Sequence, residues 1–385
     1  MIMKKIISSL LILIMCFSFP LSVFAEDNTN DTEKLDFVEA KSVVLMCMDT
    51  GEVLYADNEY EHLSPASVTK IMTILLVLEA LDSKKINLTD KVSASSEAIS
   101  MGGSQIWLEL GETMTVEELL KAVVVASAND ACTALGEYVG GSSTGFVNMM
   151  NEKAKELGCE NTNFENCNGL DDTVTNHYSC AYDLALITRE VMKHSDIEKY
   201  TSIWLDSLRD GKTELNNTNK MVNTYNGITG LKTGTTSNAG FCISATARRD
   251  NMNLCAVVLG SETSDKRFDT AAKLLDWGFS NYELAKPEFD EKQITPVKVL
   301  MGDIKTVTPQ ISEVSSITVK KGDKEFSYNY NIHKKIEAPI SKGDSLGHID
   351  IVGEQGLITS VEVVSPVDIS RVSLKSIFFK ILKNI

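Results

Sequence analysis

Three short polar motifs, set far apart in a chain of 385 residues, constrain the fold more than any periodicity does. Ser67-Val68-Thr69-Lys70 follows Pro65-Ala66 and opens an apolar helical pattern; Ser127-Ala128-Asn129 comes next, and Lys232-Thr233-Gly234 last. Each is weak alone. Together they call for a fold that brings a helix start, a helix-to-helix turn and a cationic strand edge to one point. The chemistry of such a point is acyl transfer: a serine nucleophile beside a lysine, a second hydroxyl with an amide, and a fixed cation.

Ser67 and Lys70 are three apart, so on a helix they share one face with Cβ atoms ~5–6 Å apart. A serine at the helix start also has its backbone N–H unpaired, so one residue can supply both nucleophile and oxyanion donor. The bland alternative is a serine cap followed by a surface lysine; the longer run Pro65 to Thr73 is more specific than the bare motif. To accept a proton Lys70 must be neutral, which needs its pKa to fall ~3 units from ~10.4, or ~4 kcal/mol. Burial can do this, and Lys232 is a candidate second cation pushing the same way. Ser127 can relay a proton to a leaving amine and Asn129 can hold a peptide group; the alternative is a polar turn. Lys232-Thr233-Gly234-Thr235 precedes the strand at Phe241. Its glycine lets a substrate backbone approach, and its hydroxyls and lysine can bind a carboxylate; the alternative is a hairpin with a solvated lysine.

The composition, 43% apolar and 23% charged, is globular and long enough for two domains. The net charge of -16 argues against nucleic acid as a partner. Lys4 and Lys5, an apolar run from Ile6 to about Val23, and Val23-Phe24-Ala25 before Glu26 predict a signal peptide over residues 1–25 and export to the outer face of the membrane or the cell wall. An uncleaved anchor is the alternative. Seven cysteines remain after Cys16, with no Cys-x-x-Cys pair and no zinc spacing. They are expected to be small buried hydrophobes, with no metal and no cofactor.

Residues 26–36 are polar and read as a linker. Ser42 to Met48 and Glu52 to Tyr55, around Asp49-Thr50-Gly51, predict a β-hairpin. Ile71, Ile74, Leu75, Leu78 and Leu81 predict a helix, and Thr115 to Glu118 a second with a capping box. Strands are expected at Phe241–Ala247 and Leu254–Leu259, and a closing helix at Ala271–Phe279. Strands at both ends with helices between predict an α+β domain over 37–283. From 284 to 372 short β-rich runs between turns predict a small all-β domain. In 373–385, Leu374, Ile377, Phe378, Ile381, Leu382 and Ile385 fall on one face, with Lys375, Lys380 and Lys383 elsewhere. This basic amphipathic helix is too short to span a bilayer, which takes ~20 residues. It reads as an anchor on an anionic membrane surface, or as a helix docked on the β domain.

With these residues in view, the chain resembles the low-molecular-mass penicillin-binding proteins, specifically the serine-type D-alanyl-D-alanine carboxypeptidases of peptidase family S11. Further matching segments are Gly103-Ser104, Gly111-Glu112, Asn129-Asp130-Ala131, Asn168-Gly169-Leu170, His177-Tyr178-Ser179, Asp183-Leu184-Ala185, Gly230-Leu231-Lys232 and Ala239-Gly240. The likeness covers roughly residues 35–283, and the β region with Ala338-Pro339-Ile340 resembles the family's second domain. It implies a serine β-lactamase/transpeptidase-like fold: an antiparallel sheet flanked by helices, a helical subdomain, and a small all-β domain. It implies Ser67 as nucleophile, Lys70 as base and Ser127 as the second catalytic hydroxyl. Asn129, Lys232, Thr233, Gly234, Thr235 and Arg267 would bind substrate, and the N–H groups of Ser67 and Thr235 would form the oxyanion hole. The implied substrates are peptidoglycan stem peptides ending in D-Ala-D-Ala, with β-lactams as covalent inhibitors. His177 belongs to a stretch that looks structural. Ala128, where glycine is frequent, and Cys167 and Cys180 depart from the pattern.

Two rivals share features. A class A-like serine β-lactamase needs a glutamate four residues before an asparagine; Glu165 has Gly169 in that place. A non-catalytic penicillin-sensing domain needs a spanning helix and a cytoplasmic partner domain, and the sequence offers neither.

Overall fold

The computed structural model describes residues 35–373 except Thr173, Glu313, Ser315, Lys324 and Gln355. The expected signal peptide, most of the expected linker and nearly all of the expected amphipathic helix lie outside the described residues.

Five strands form one antiparallel sheet: β1 (Ser42–Cys47), β2 (Val53–Asp57), β3 (Ile228–Thr236), β4 (Gly240–Arg249) and β5 (Met252–Ser261). Their order is β2-β1-β5-β4-β3, which makes β3 an edge. The β1–β2 hairpin turns through Gly51 at φ 82°, a left-handed position that glycine adopts without steric cost. Six helices matter for the site: α1 (Lys70–Asp82), α2 (Val116–Lys121), α3 (Asn129–Gly140), α4 (Ser143–Glu156), α5 (Ala181–Met192) and α6 (Ser264–Asn281).

The sheet is buried on both faces. Val43, Leu45 and Cys47 of β1 enter one core with Leu274 and Leu275 of α6. Val44 and Met46 enter the other, with Ile71, Ile74 and Leu75 of α1 and Leu184 and Ile187 of α5. This is the two-residue alternation of a strand, read out as a continuous apolar run because neither face meets water. Helix α1 is the centre of the second core: ten of its thirteen residues are buried. The stripe read from the sequence therefore understates it, since Leu76 and Val77 are buried as well.

Helix α2 starts from the expected capping box. Glu118 N–H donates to Thr115 Oγ1 at 3.1 Å, and Thr115 N–H to Glu118 Oε2 at 2.8 Å. The chain then widens into a single π turn, Ala122–Ala126, ending at Ser127.

Three elements differ from expectation. Helix α6 begins at Ser264, capped by Thr263, ahead of the expected Ala271, because its first turn is polar. Lys232 to Thr235 do precede the strand at Phe241, but they lie in a nine-residue strand of their own, β3, for which no range was expected. A hairpin, Leu205–Leu208 with Thr213–Asn216, was not anticipated. After α6, Tyr282–Ala285 pairs with Ile317–Lys320. A three-stranded and a four-stranded sheet follow, close to the expected runs. Thr50 and Thr318 join the first hairpin to this β region at 2.7 Å.

Candidate active site

Ser67 lies in a 3-10 turn, Ala66–Thr69, just before α1. The turn is confined from two sides. A Cβ on Gly234 would lie 2.8 Å from Pro65 O and 2.9 Å from Ser67 N. A Cβ on Gly169, at φ +83°, would lie 1.8 Å from Ala66 O. A side chain at position 234 would therefore crowd the Ser67 N–H, so the nucleophile turn needs a glycine there. Ala66 is held at φ 47°, a conformation that costs a non-glycine residue about 1–3 kcal/mol and persists because its surroundings impose it.

Lys70 and Lys232 are both fully buried. Lys70 Nζ donates to Ser67 Oγ at 2.8 Å, to Asn129 Oδ1 at 2.5 Å and to Asn168 O at 2.8 Å. The bland reading of a surface lysine fails. Burial pushes the Lys70 ammonium down to about 8, while the nearby Cys132, Cys167 and Asp130 pull it back up. Burial also pushes Lys232 well below the usual lysine range, helped by the charge of Lys70. Desolvation, rather than Lys232, is the main cause at Lys70. A neutral amine at hydrogen-bond distance from a serine can take its proton.

Ser127 follows the π turn at φ 60°, ψ 30°, another left-handed position. Among the described residues no hydrogen bond joins its hydroxyl to Lys70, Lys232 or Ser67. Asn129 Nδ2 donates to Gly102 O at 2.7 Å. With Lys70 on its oxygen, the side-chain amide keeps one free N–H for a ligand. Lys232 Nζ donates to Thr233 O at 3.0 Å, and Thr233 Oγ1 to Thr218 Oγ1 at 2.7 Å. Thr235 is exposed.

Arg267 is buried beside β3, and its Nη1 donates to Gly234 O and Thr235 Oγ1, each at 3.1 Å. It bears on the cleft through Thr235. His177 is a wall residue, as its stretch implied. Glu165 N–H donates to His177 Nδ1 at 3.0 Å, so Nε2 carries the proton toward Thr69 Oγ1 at 2.8 Å. Burial pushes this imidazole down to about 4, leaving it neutral. The Glu165 carboxylate accepts from Thr175 N–H and Asn176 N–H at 3.1 and 2.7 Å, which fixes the loop.

A family model described as D-alanyl-D-alanine carboxypeptidase matches residues 28–263. The chain belongs to this family. A second model, the C-terminal domain of penicillin-binding protein 5, matches residues 282–371. D-alanyl-D-alanine carboxypeptidase DacF of Bacillus subtilis is 44% identical over 375 residues, 96% of this chain and 95% of its own length. The solved structure of penicillin binding protein 5 from Haemophilus influenzae superposes with a TM-score of 0.77 at 32% identity, covering 87% of this chain and 98% of that one. Penicillin-Binding Protein D2 from Listeria monocytogenes, solved in a cefotaxime-bound form, superposes at 0.59 with 31% identity, over 64% of this chain and 100% of that one.

In this member of the carboxypeptidase family, sequence reasoning missed the supports of Lys70. Thr73 Oγ1 and Cys132 Sγ donate to Cys167 O at 2.6 and 3.1 Å, fixing the loop whose next carbonyl, Asn168 O, receives Lys70. A backbone acceptor leaves no side-chain signature. Asp171 was missed too; it accepts from Ser64 Oγ at 3.0 Å and Thr236 Oγ1 at 2.6 Å, tying this loop to β3. All seven cysteines among the described residues are buried and free, as the composition suggested.

Proposed function

We propose that this chain is a serine D-alanyl-D-alanine carboxypeptidase that removes the terminal D-alanine of peptidoglycan stem peptides through an acyl-enzyme on Ser67. The observation that carries this reading is the fully buried Lys70 amine, pushed down to about 8 and 2.8 Å from Ser67 Oγ. Lys70 takes the serine proton as Oγ attacks the penultimate D-alanine carbonyl. The N–H groups of Ser67 and Thr235 receive the oxyanion. Ser127 hands a proton to the departing D-alanine nitrogen, and water then cleaves the ester. Lys232, Thr233, Gly234 and Thr235 bind the end of the substrate that carries the terminal carboxylate, with Arg267 assisting through Thr235 and Asn129 holding the peptide group. β-Lactams acylate the same serine. The test is intact-mass analysis after penicillin treatment, with the adduct mapped by peptide, alongside D-alanine release from a D-Ala-D-Ala peptide. An adduct on any other residue overturns the assignment. Rapid nitrocefin turnover would favour the β-lactamase alternative, which Glu165, committed to its loop, does not support.

Residues 1–25 are read as the export signal, 26–36 as a linker, 37–283 as the catalytic domain and 284–372 as the β domain. The helix 373–385 is read as the anchor. Its apolar stripe contributes ~0.8 kcal/mol per buried CH₂, and its lysines ~1 kcal/mol each at an anionic surface. The mature chain is expected to float with anionic liposomes and to detach in high salt, whereas a chain lacking 373–385 stays soluble and active. Equal flotation of both forms rules out the tail as the anchor.

A further inference from the structure

Trp107 is 73% exposed, yet Ile106 and Leu108 on either side are 1% and 7% exposed. The reversal comes from a left-handed backbone at Trp107, φ 59°, which turns the indole outward between two inward neighbours. That conformation is heavily braced. Asp130, fully buried, accepts the N–H of Ile106 at 3.2 Å and of Leu108 at 3.0 Å. Arg209 Nη1 donates to Ile106 O at 2.8 Å and Nη2 to Trp107 O at 3.4 Å, while Nε and the same Nη2 grip Glu112 at 2.6 and 3.0 Å. A buried carboxylate and an ion pair thus hold one aromatic ring in water. Among the described residues its indole N–H has no acceptor.

The loop is continuous with the cleft. Just upstream, Gly102 O accepts from Asn129 Nδ2 at 2.7 Å and Ser104 O accepts from Asn129 N–H at 2.7 Å. Asp130, which holds the Trp107 turn, is the next residue after Asn129, whose Oδ1 touches Lys70 Nζ. The turn that presents the aromatic is therefore held by the same dipeptide, Asn129-Asp130, that reaches into the candidate active site.

We propose that Trp107 is a subsite for the glycan strand of the substrate, its indole face stacking on the C–H face of a neutral pyranose ring. This rests on the carboxypeptidase reading: the D-alanyl end is taken by Ser67 and Lys232, and the sugar is the part of a peptidoglycan substrate that lies beyond the stem peptide. The indole offers an apolar face for ring C–H groups and a free donor for a hydroxyl. From Met101 to Glu112 the loop carries Glu109 and Glu112 and no lysine or arginine. Arg209, the cation that contacts this loop, is paired with Glu112, so an anionic lipid or polyphosphate surface gains little there, whereas a neutral sugar needs no cation.

The test compares full mature wild type with Trp107→Ala and Trp107→Phe on two substrates, a short D-Ala-D-Ala peptide and the same stem peptide still attached to glycan strands. Trp107→Ala should lose roughly fivefold to tenfold in kcat/KM on the glycan-linked substrate, as loss of an anchoring tryptophan does. Its penicillin acylation and short-peptide turnover should stay within about twofold, and Trp107→Phe should restore most of the loss. A peptide-free N-acetylglucosamine tetramer should change the tryptophan fluorescence of wild type and not of Trp107→Ala. Equal loss on both substrates, loss on the short peptide alone, or no loss on either overturns the subsite. If wild type releases D-alanine from neither substrate, the carboxypeptidase reading has failed, and the sugar titration still decides Trp107 on its own.

Discussion

Ser67→Ala is expected to eliminate both penicillin labelling and D-alanine release, a loss of about 10⁴–10⁶ in rate for removal of a covalent nucleophile. The fold should survive. Lys70 keeps Asn129 Oδ1 and Asn168 O as acceptors, and the turn stays clamped by the bare faces of Gly169 and Gly234. Radiolabelled penicillin and a thermal melt measure the two claims together. Attachment at a wild-type rate in a normally melting variant would falsify the nucleophile assignment.

Lys70→Arg should come close to this in effect. A guanidinium stays protonated, so the variant keeps the cation and loses the base. Because arginine is larger than the space it enters, Lys70→Met serves as a second variant that removes the base without adding bulk. Acylation should collapse in both. In the unmodified chain acylation should rise with pH and level off above about 8, as the neutral amine becomes the main form. The same group links pH to stability. Its folded pKa lies below the unfolded value of ~10.4, so the unfolded chain holds more protons between the two. The penalty for burying the charge is therefore full below about 8 and fades as pH rises toward the unfolded value. Near-normal acylation by either variant, or a rate independent of pH across this window, would remove Lys70 from the role of base.

The parts that were readable in the sequence are those where side-chain pattern and local geometry agree. The β1–β2 hairpin, the capping box at Thr115 and the strands around Phe241 and Leu254 appeared close to where alternation and turn residues put them. Helix α6 was shortened because Ser264 to Arg267 carry little apolar signal, although Thr263 is a capping residue that could have marked the start. The 205–216 hairpin escaped because Leu205 is exposed and its strands are short. At the site, the motifs located Ser67, Lys70, Asn129 and Lys232, but not what each touches. The close fit of Gly234 against the nucleophile turn was not legible. Nor was the hold of Arg267 on Thr235. Both omissions have one source: a motif names residues facing a common centre and says nothing of how they brace one another.

The strand order has a consequence for how the protein comes into being. Ser42 pairs with Leu259, so β1 waits for a neighbour made long after it. Pairings this remote in sequence are slow to form and leave open strand edges meanwhile. A chain interrupted before β3 would also lack the surface that Gly234 lays against the nucleophile turn. Until that surface arrives, the chain holds its serine in a turn that one of its two confining glycines has not yet reached.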